Sequence, residues 1–281
     1  MKDFLESTAL ITGASSGIGL EMARQLAPMA AHLILVARRR DRLEELRQEL
    51  LGTNPELRVD CQCVDLADKH QVGELIAWLR DNQVKLDFLI NNAGLGDHGP
   101  FEASDWERVE RILQVNVVAL TELCHRLIPL LRRHRPGAIL NVSSVASFLP
   151  VPEMAVYAAT KAYVSSFSEA LRAELRGTGI AVTHLCPGPV DTEFGEVAQR
   201  EGTAPEDFRP MPAMFKVSVE RVARQALRGV ARDRARVLPG FWINVAVLGV
   251  ALSPMFLLRL FFPSSAERAQ LPALQPRLAH E

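Results

Sequence analysis

"TALITGASSGIG", residues 8–19, runs a β-favouring apolar stretch straight into a turn that carries Gly13, Gly17 and Gly19. A strand that ends on glycines at the entry to a helix points unpaired backbone N–H groups, and the positive end of the helix dipole, at whatever binds there. Glycine lets the chain turn tightly and lets a phosphate approach the backbone. The spacing is G-x-x-x-G-x-G and not the commoner G-x-G-x-x-G, so the turn gains its weight from what surrounds it.

The alternation continues along the chain. Valine- and isoleucine-rich runs at 8–12, 32–37, 58–64, 87–91, 137–143 and 180–186, with a short seventh at 236–238, predict strands buried on both faces. Apolar spacing predicts helices near 17–27, 39–51, 67–82, 104–134, 155–176 and 218–232, the last capped by Ser218. The expected fold class is α/β: a single Rossmann-like, doubly wound parallel sheet with helices on both faces, plus an apolar C-terminal extension. Residues 1–238 form the expected domain, with a substrate loop at about 190–217 where the period lapses. Residues 239–281 are the extension and tail.

A formal charge of −1 leaves no polybasic face, which argues against a nucleic-acid partner. Cys61, Cys63, Cys124 and Cys186 have neither C-x-x-C spacing nor clustered histidines, so they read as reduced thiols and no metal site is expected. The stretch "MKDFLESTALITG" carries acids and reaches glycine before an apolar run of signal-peptide length, so a cytoplasmic protein is expected.

The end of the second predicted strand reads "LILVARRR", with Arg38, Arg39 and Arg40 and no acid before Asp41. A dinucleotide site places an acid there to hold a ribose diol, or arginine to meet a 2′-phosphate. Basic residues at a helix N-terminus oppose the helix dipole, so local stability gives no reason for them. The stretch therefore favours NADP(H) over NAD(H), with Arg38 first and Arg39 second as phosphate ligands.

In "VYAATKAY", residues 156–163, Tyr157 and Lys161 stand at i and i+4 on one helical face. A nearby ammonium favours the phenolate, so the lysine can tune the tyrosine as an acid or base. Thirteen residues upstream, Ser144 follows the fifth predicted strand, and the intervening loop can return its hydroxyl over the helix. Ser143 is the alternative hydroxyl. His98, in a loop bordering the same cleft, reads as a solvated histidine and stays outside the catalytic set.

Together these segments resemble the classical short-chain dehydrogenase/reductase family over roughly residues 5–240, in family order. The resemblance identifies Gly13, Ser15, Ser16, Gly17, Ile18 and Gly19 as its glycine turn and Asp65 as its adenine-side aspartate. Asn92, Ala93 and Gly94 fall in its N-N-A-G stretch, and Asn116 matches its relay asparagine. Pro187, Gly188, Val190 and Thr192 match the P-G-x-V-x-T segment beside the nicotinamide. It implies that Tyr157 exchanges a proton with the substrate oxygen while Lys161 binds the nicotinamide ribose and lowers the phenol pKa. Ser144 would then hydrogen-bond the substrate oxygen, and Asn116 would support a proton path from Lys161. The implied function is NADP(H)-dependent hydride transfer between nicotinamide and a carbonyl or secondary alcohol. A non-catalytic NADP(H)-binding interaction or redox-sensing protein is the alternative. A nucleotide-sugar epimerase would need a larger domain after Val190 than this chain supplies.

"PGFWINVAVLGVALSPMFLLRLFF", residues 239–262, contains an uncharged run from Phe241 to Leu258. Such a run is at the lower limit for a membrane span, and Pro254 interrupts it. It reads as a peripheral membrane contact, as a cover for the cleft or a subunit interface, or as a span. The chain resembles bacterial-type members of the family with an apolar C-terminal tail, which implies an apolar small-molecule carbonyl or alcohol substrate; the family resemblance implies a homo-oligomer.

Overall fold

The computed structural model describes residues 4–132, 137–200 and 213–254. Its first half runs β1 (Thr8–Thr12), α1 (Gly17–Leu26), β2 (His32–Ala37), α2 (Arg40–Thr53), β3 (Arg58–Cys63), α3 (Lys69–Asp81) and β4 (Phe88–Asn91). The second half runs α4 (Trp106–Leu113), α5 (Leu120–Leu131), β5 (Ala138–Val142), α6 (Ala155–Glu174), β6 (Ala181–Leu185), α7 (Phe194–Ala198), α8 (Val219–Ala231), β7 (Arg236–Val237) and α9 (Phe241–Leu252).

The strands form one parallel sheet in the order β3-β2-β1-β4-β5-β6-β7, with Leu10 opposite Leu89 and Ile34 across the central pairs. Every residue of β2, β4, β5 and β6 is buried, which explains why those strands read as unbroken apolar runs and not as alternating ones. On one face α1, α2 and α8 pack through Met22, Leu26, Leu43, Leu50, Val222 and Val230. On the other, α3, α5 and α6 pack through Val72, Leu79, Leu123, Leu127, Val164 and Leu171. Each fully buried leucine of this kind contributes about 2 kcal/mol. The chain thus winds from β1 outward to β3, then back through β4, and the reversal opens a crevice at the carboxyl ends of β1 and β4.

Two predicted segments are divided differently. The single helix expected over 104–134 is α4 and α5 joined by a π-helical turn at Gln114–Ala119, and its last residues, 133–134, lie outside the described set. The flanking Leu113 and Leu120 keep right-handed helical angles, so the turn changes hydrogen-bond partners without redirecting the chain, and the apolar period does not betray it. The expected loop at 190–217 contains the short α7 and a 3-10 turn at Ala213–Phe215; its residues 201–212 are outside the described set.

The apolar run after 239 forms α9, twelve residues long, which ends at Ser253 before Pro254. Ile243 and Val247 join the sheet's core, whereas Phe241, Leu248 and Leu252 are exposed. Among the described residues no helix is long and apolar enough to cross a membrane. The expected tail at 255–281, including residues 255–262 of the apolar run, lies outside the described residues.

Candidate active site

The glycine turn is stitched to the end of β4. Thr12 Oγ1 accepts the N–H groups of Asn92 and Ala93, each at 3.0 Å, and Asn92 Nδ2 donates to Thr12 O at 3.0 Å and Gly13 O at 3.2 Å. Gly13 has φ +66°, and a Cβ there would stand 2.8 Å from Asn92 Nδ2 and 2.9 Å from Ala93 Cα. Both the angle and the crowding require glycine. The turn delivers α1 with Ser16 at its N-cap making no side-chain capping bond, and with no acid in the first turn. α3, α4 and α8 differ, since Asp68, Asp105 and Ser218 cap them, the last as the sequence predicts. The open donors of α1 and the glycine cradle beside Asn92 fit a dinucleotide pyrophosphate.

Past β2, Arg38, Arg39 and Arg40 are all exposed. Arg39 is the one that reaches the glycine turn: its Nη2 and Nε lie 3.2 and 3.4 Å from Ser15 Oγ. Asp65 follows β3, accepts the Ala67 N–H at 3.0 Å and pairs with Arg111 at 2.8 Å. Partial burial raises its carboxyl pKa, but the Ala67 N–H and the Arg111 guanidinium outweigh that and hold it below the usual range.

The two serines follow β5, and their hydroxyls are used differently. Ser143 Oγ donates to Lys161 O at 2.8 Å and shares a 2.8 Å bond with Ser165 Oγ, so it ties strand to helix. Ser144 Oγ caps the 3-10 turn at Val145–Phe148 by accepting the Ala146 N–H at 3.1 Å, and its hydroxyl lies close enough to the Tyr157 phenol to lower that phenol's pKa. Tyr157 and Lys161 lie on the first turns of α6, 8% and 3% exposed. Lys161 Nζ donates to Val142 O at 2.9 Å and sits 5.7 Å from the centre of the Tyr157 ring.

Gly94 makes room for this cluster, because a Cβ on it would stand 3.1 Å from Lys161 Nζ and 3.5 Å from Asn116 Oδ1. Asn116 projects from the π-helical turn. It accepts the Leu95 N–H at 2.8 Å and donates to Leu95 O and Thr160 Oγ1 at 2.9 and 3.0 Å.

The implied lowering of the phenol by Lys161 is not what the geometry gives. Burial pushes the Tyr157 phenol up to about 12, and the neighbouring Ser144 hydroxyl draws it back only in part. Burial likewise pushes the Lys161 ammonium down to about 8. For both groups burial is the largest cause.

The segment after β6 closes the crevice. Pro187 O accepts the Val145 N–H at 3.0 Å, Gly188 packs against Ile243 of α9, and Val190 lies against the core. Thr192 reaches back to the glycine turn, where a Cβ on Gly17 would stand 3.1 Å from its Cγ2. Two further features escape sequence reasoning. Phe194 packs on Tyr157 with ring centres 5.3 Å apart. Buried Asp97 holds Arg200 at 2.7 Å and Arg108 at 3.0 Å, clamping the loop after β4 to the end of α7. Nothing in local spacing signals either contact. His98 lies 3.6 Å from Glu153 and its N–H donates to Ala198 O, so it belongs to this clamp.

The short chain dehydrogenase family model matches residues 7–202. A sulfoacetaldehyde reductase of Chromohalobacter salexigens is 39% identical over 189 residues, covering 66% of this chain and 72% of that protein. A short-chain dehydrogenase of Sphingobium yanoikuyae, solved with NADPH, superposes with a TM-score of 0.74 at 31% identity, covering 92% of this chain and 97% of the other. A short-chain dehydrogenase/reductase of Burkholderia phymatum, solved with NAD, superposes with a TM-score of 0.77 at 26% identity, covering 94% and 98%.

Proposed function

This chain belongs to the short chain dehydrogenase family, and from that premise we propose that it is an NADP(H)-dependent oxidoreductase moving hydride between the nicotinamide and a carbonyl or secondary alcohol of an apolar substrate. The observation that carries this reading is the buried cluster of Ser144, Tyr157 and Lys161 at the end of β5, beside Gly94 and the glycine turn.

A bound nicotinamide supplies or accepts the hydride. With its pKa pushed up to about 12, Tyr157 stays protonated at neutral pH and is the proton donor to the substrate oxygen in reduction. Ser144 donates a hydrogen bond to that oxygen, where negative charge develops. Lys161, anchored on Val142 O, favours charge on the tyrosine oxygen once its proton has left. Asn116, bonded to Thr160 at the back of the same helix, is the relay that lets Lys161 exchange protons with solvent. In alcohol oxidation the phenol must first lose its proton, so that direction gains rate as pH rises.

For the cofactor, Gly13, Ser15, Ser16, Gly17, Ile18 and Gly19 hold the pyrophosphate, Asp65 lines the adenosine side, and Asn92, Ala93 and Gly94 run from the glycine turn to Lys161. Pro187, Gly188, Val190 and Thr192 border the nicotinamide. Arg39, already on Ser15, meets the 2′-phosphate with Arg38 beside it. An apolar substrate is supported by Val145, Phe148, Phe215 and Ile243, which gather at the core edge near Gly188, and by Phe194 over Tyr157. The exposed apolar side of α9, Phe241, Leu248 and Leu252, is assigned to contact outside the chain, a second copy or a membrane surface. Sedimentation and vesicle flotation of Leu248→Lys against wild type distinguish the two.

The test of substrate and cofactor is NADPH and NADH oxidation with ketones and aldehydes of graded chain length. Faster turnover with NADPH and rising kcat/KM with chain length are expected. A clear preference for NADH overturns the arginine argument, and a preference for short polar carbonyls overturns the apolar one.

A further inference from the structure

An anion already sits on the arginines beyond β2. Glu193, between Thr192 and Phe194, holds its carboxylate 2.8 Å from Arg39 Nη1 and 3.5 Å from Arg42 Nη1. The contact joins residues 154 positions apart and spans the mouth of the crevice, from the substrate loop to the glycine turn. The same Arg39 donates to Ser15, so one guanidinium serves both sides. The Arg39 hydrogen bond holds the Glu193 carboxyl below its usual range, so it is ionised at neutral pH.

An exposed carboxylate usually stays in solvent, where a lone ion pair is worth little. This one instead meets two arginines, whose planar guanidinium forks suit a phosphate monoester. The next residue along the chain, Phe194, covers Tyr157.

We propose that the Glu193 carboxylate is an internal stand-in for the 2′-phosphate of the cofactor. This rests on the NADP(H) reading above. NADP(H) displaces Glu193 from Arg39, whereas NAD(H) binds with the Glu193–Arg39 pair intact. Displacement frees the start of α7, so the phosphate that identifies the right cofactor also loosens Phe194 from the proton donor. Glu193 is then a specificity-determining residue acting by competition.

The test is direct titration of the full chain with NADPH and NADH, read by fluorescence and not by turnover, for wild type, Glu193→Gln, Arg39→Ala and the double variant. Glu193→Gln should bind NADPH about two- to five-fold more tightly and leave NADH unchanged, the span expected when an exposed ion pair no longer competes. Arg39→Ala should weaken NADPH about ten-fold or more, the loss of a charge-assisted hydrogen bond. In the Arg39→Ala background, Glu193→Gln should add nothing. Glu196→Gln, an exposed charge on the same short helix, should leave both affinities as they are and so controls for net charge. If Arg39→Ala leaves the NADPH-to-NADH ratio unchanged, the 2′-phosphate reading itself fails. If Arg39→Ala weakens NADPH but Glu193→Gln does not tighten it, or tightens both cofactors equally, only the stand-in proposal is overturned.

Discussion

Lys161→Met should make the protein inactive and, at pH 7, more stable. Lys161 is 3% exposed, and burial lowers its pKa from 10.5 to about 8. Below pH 8 the ammonium is present in both folded and unfolded chains, and the fold carries the desolvation cost. A difference of that size corresponds to about 3 kcal/mol. Methionine is close in volume and uncharged, but it leaves Val142 O without the 2.9 Å ammonium bond, which offsets about 1–2 kcal/mol. The variant should therefore gain about 1–2 kcal/mol at pH 7. As pH rises from 8 toward 10.5 the folded wild type sheds the proton while the unfolded chain keeps it, so wild-type stability rises and the gap closes. Between pH 7 and pH 10 the difference should shrink by about 2 kcal/mol. Urea unfolding of both proteins at the two pH values, followed by tryptophan fluorescence, measures it, and ionisation of Tyr157 cancels in the comparison. A stability difference that does not change with pH would refute the buried-ammonium argument.

Two further outcomes follow from the site's supports. Asn116→Leu removes one acceptor and two donor bonds to Leu95 and Thr160, so it should cost about 2–3 kcal/mol in urea unfolding and lower kcat more than it raises KM. Asp97→Asn strips the counter-charge from Arg200 and Arg108, so it should cost about 3 kcal/mol at pH 7. Burial raises the Asp97 pKa, but the two arginines hold it below the usual value. The stability this carboxylate contributes to wild type is therefore present above pH 3.8 and lost as pH falls through its lower folded pKa, and the variant's unfolding should lack that acid-side loss.

Much of the fold is legible because the sheet is parallel and covered on both faces. β2 and β5 are buried at every position, and runs such as "HLILVA" follow directly. The glycine turn is legible because Gly13 has a backbone angle and a crowded neighbour that no other residue tolerates. Tyr157 and Lys161 are legible because helical spacing alone puts them together. What escapes is long-range or continuous in angle. The π-helical turn keeps right-handed helical geometry at its flanks, so the position that aims Asn116 leaves no mark on apolar spacing. Asp97 and Arg200 lie 103 residues apart, and each reads as an ordinary loop charge. The electrostatics of the pair also escape: proximity predicts a lowered phenol, whereas burial, which spacing does not disclose, sends it the other way.

The most direct measurement is single-turnover NADPH oxidation by Tyr157→Phe with a confirmed ketone or aldehyde, beside wild type. Loss of the phenol proton should lower the rate by about 10²–10⁴ while NADPH, read by its own fluorescence, still binds. A rate equal to wild type would contradict the assignment of Tyr157 as proton donor and would favour a non-catalytic NADP(H)-binding role for this cluster.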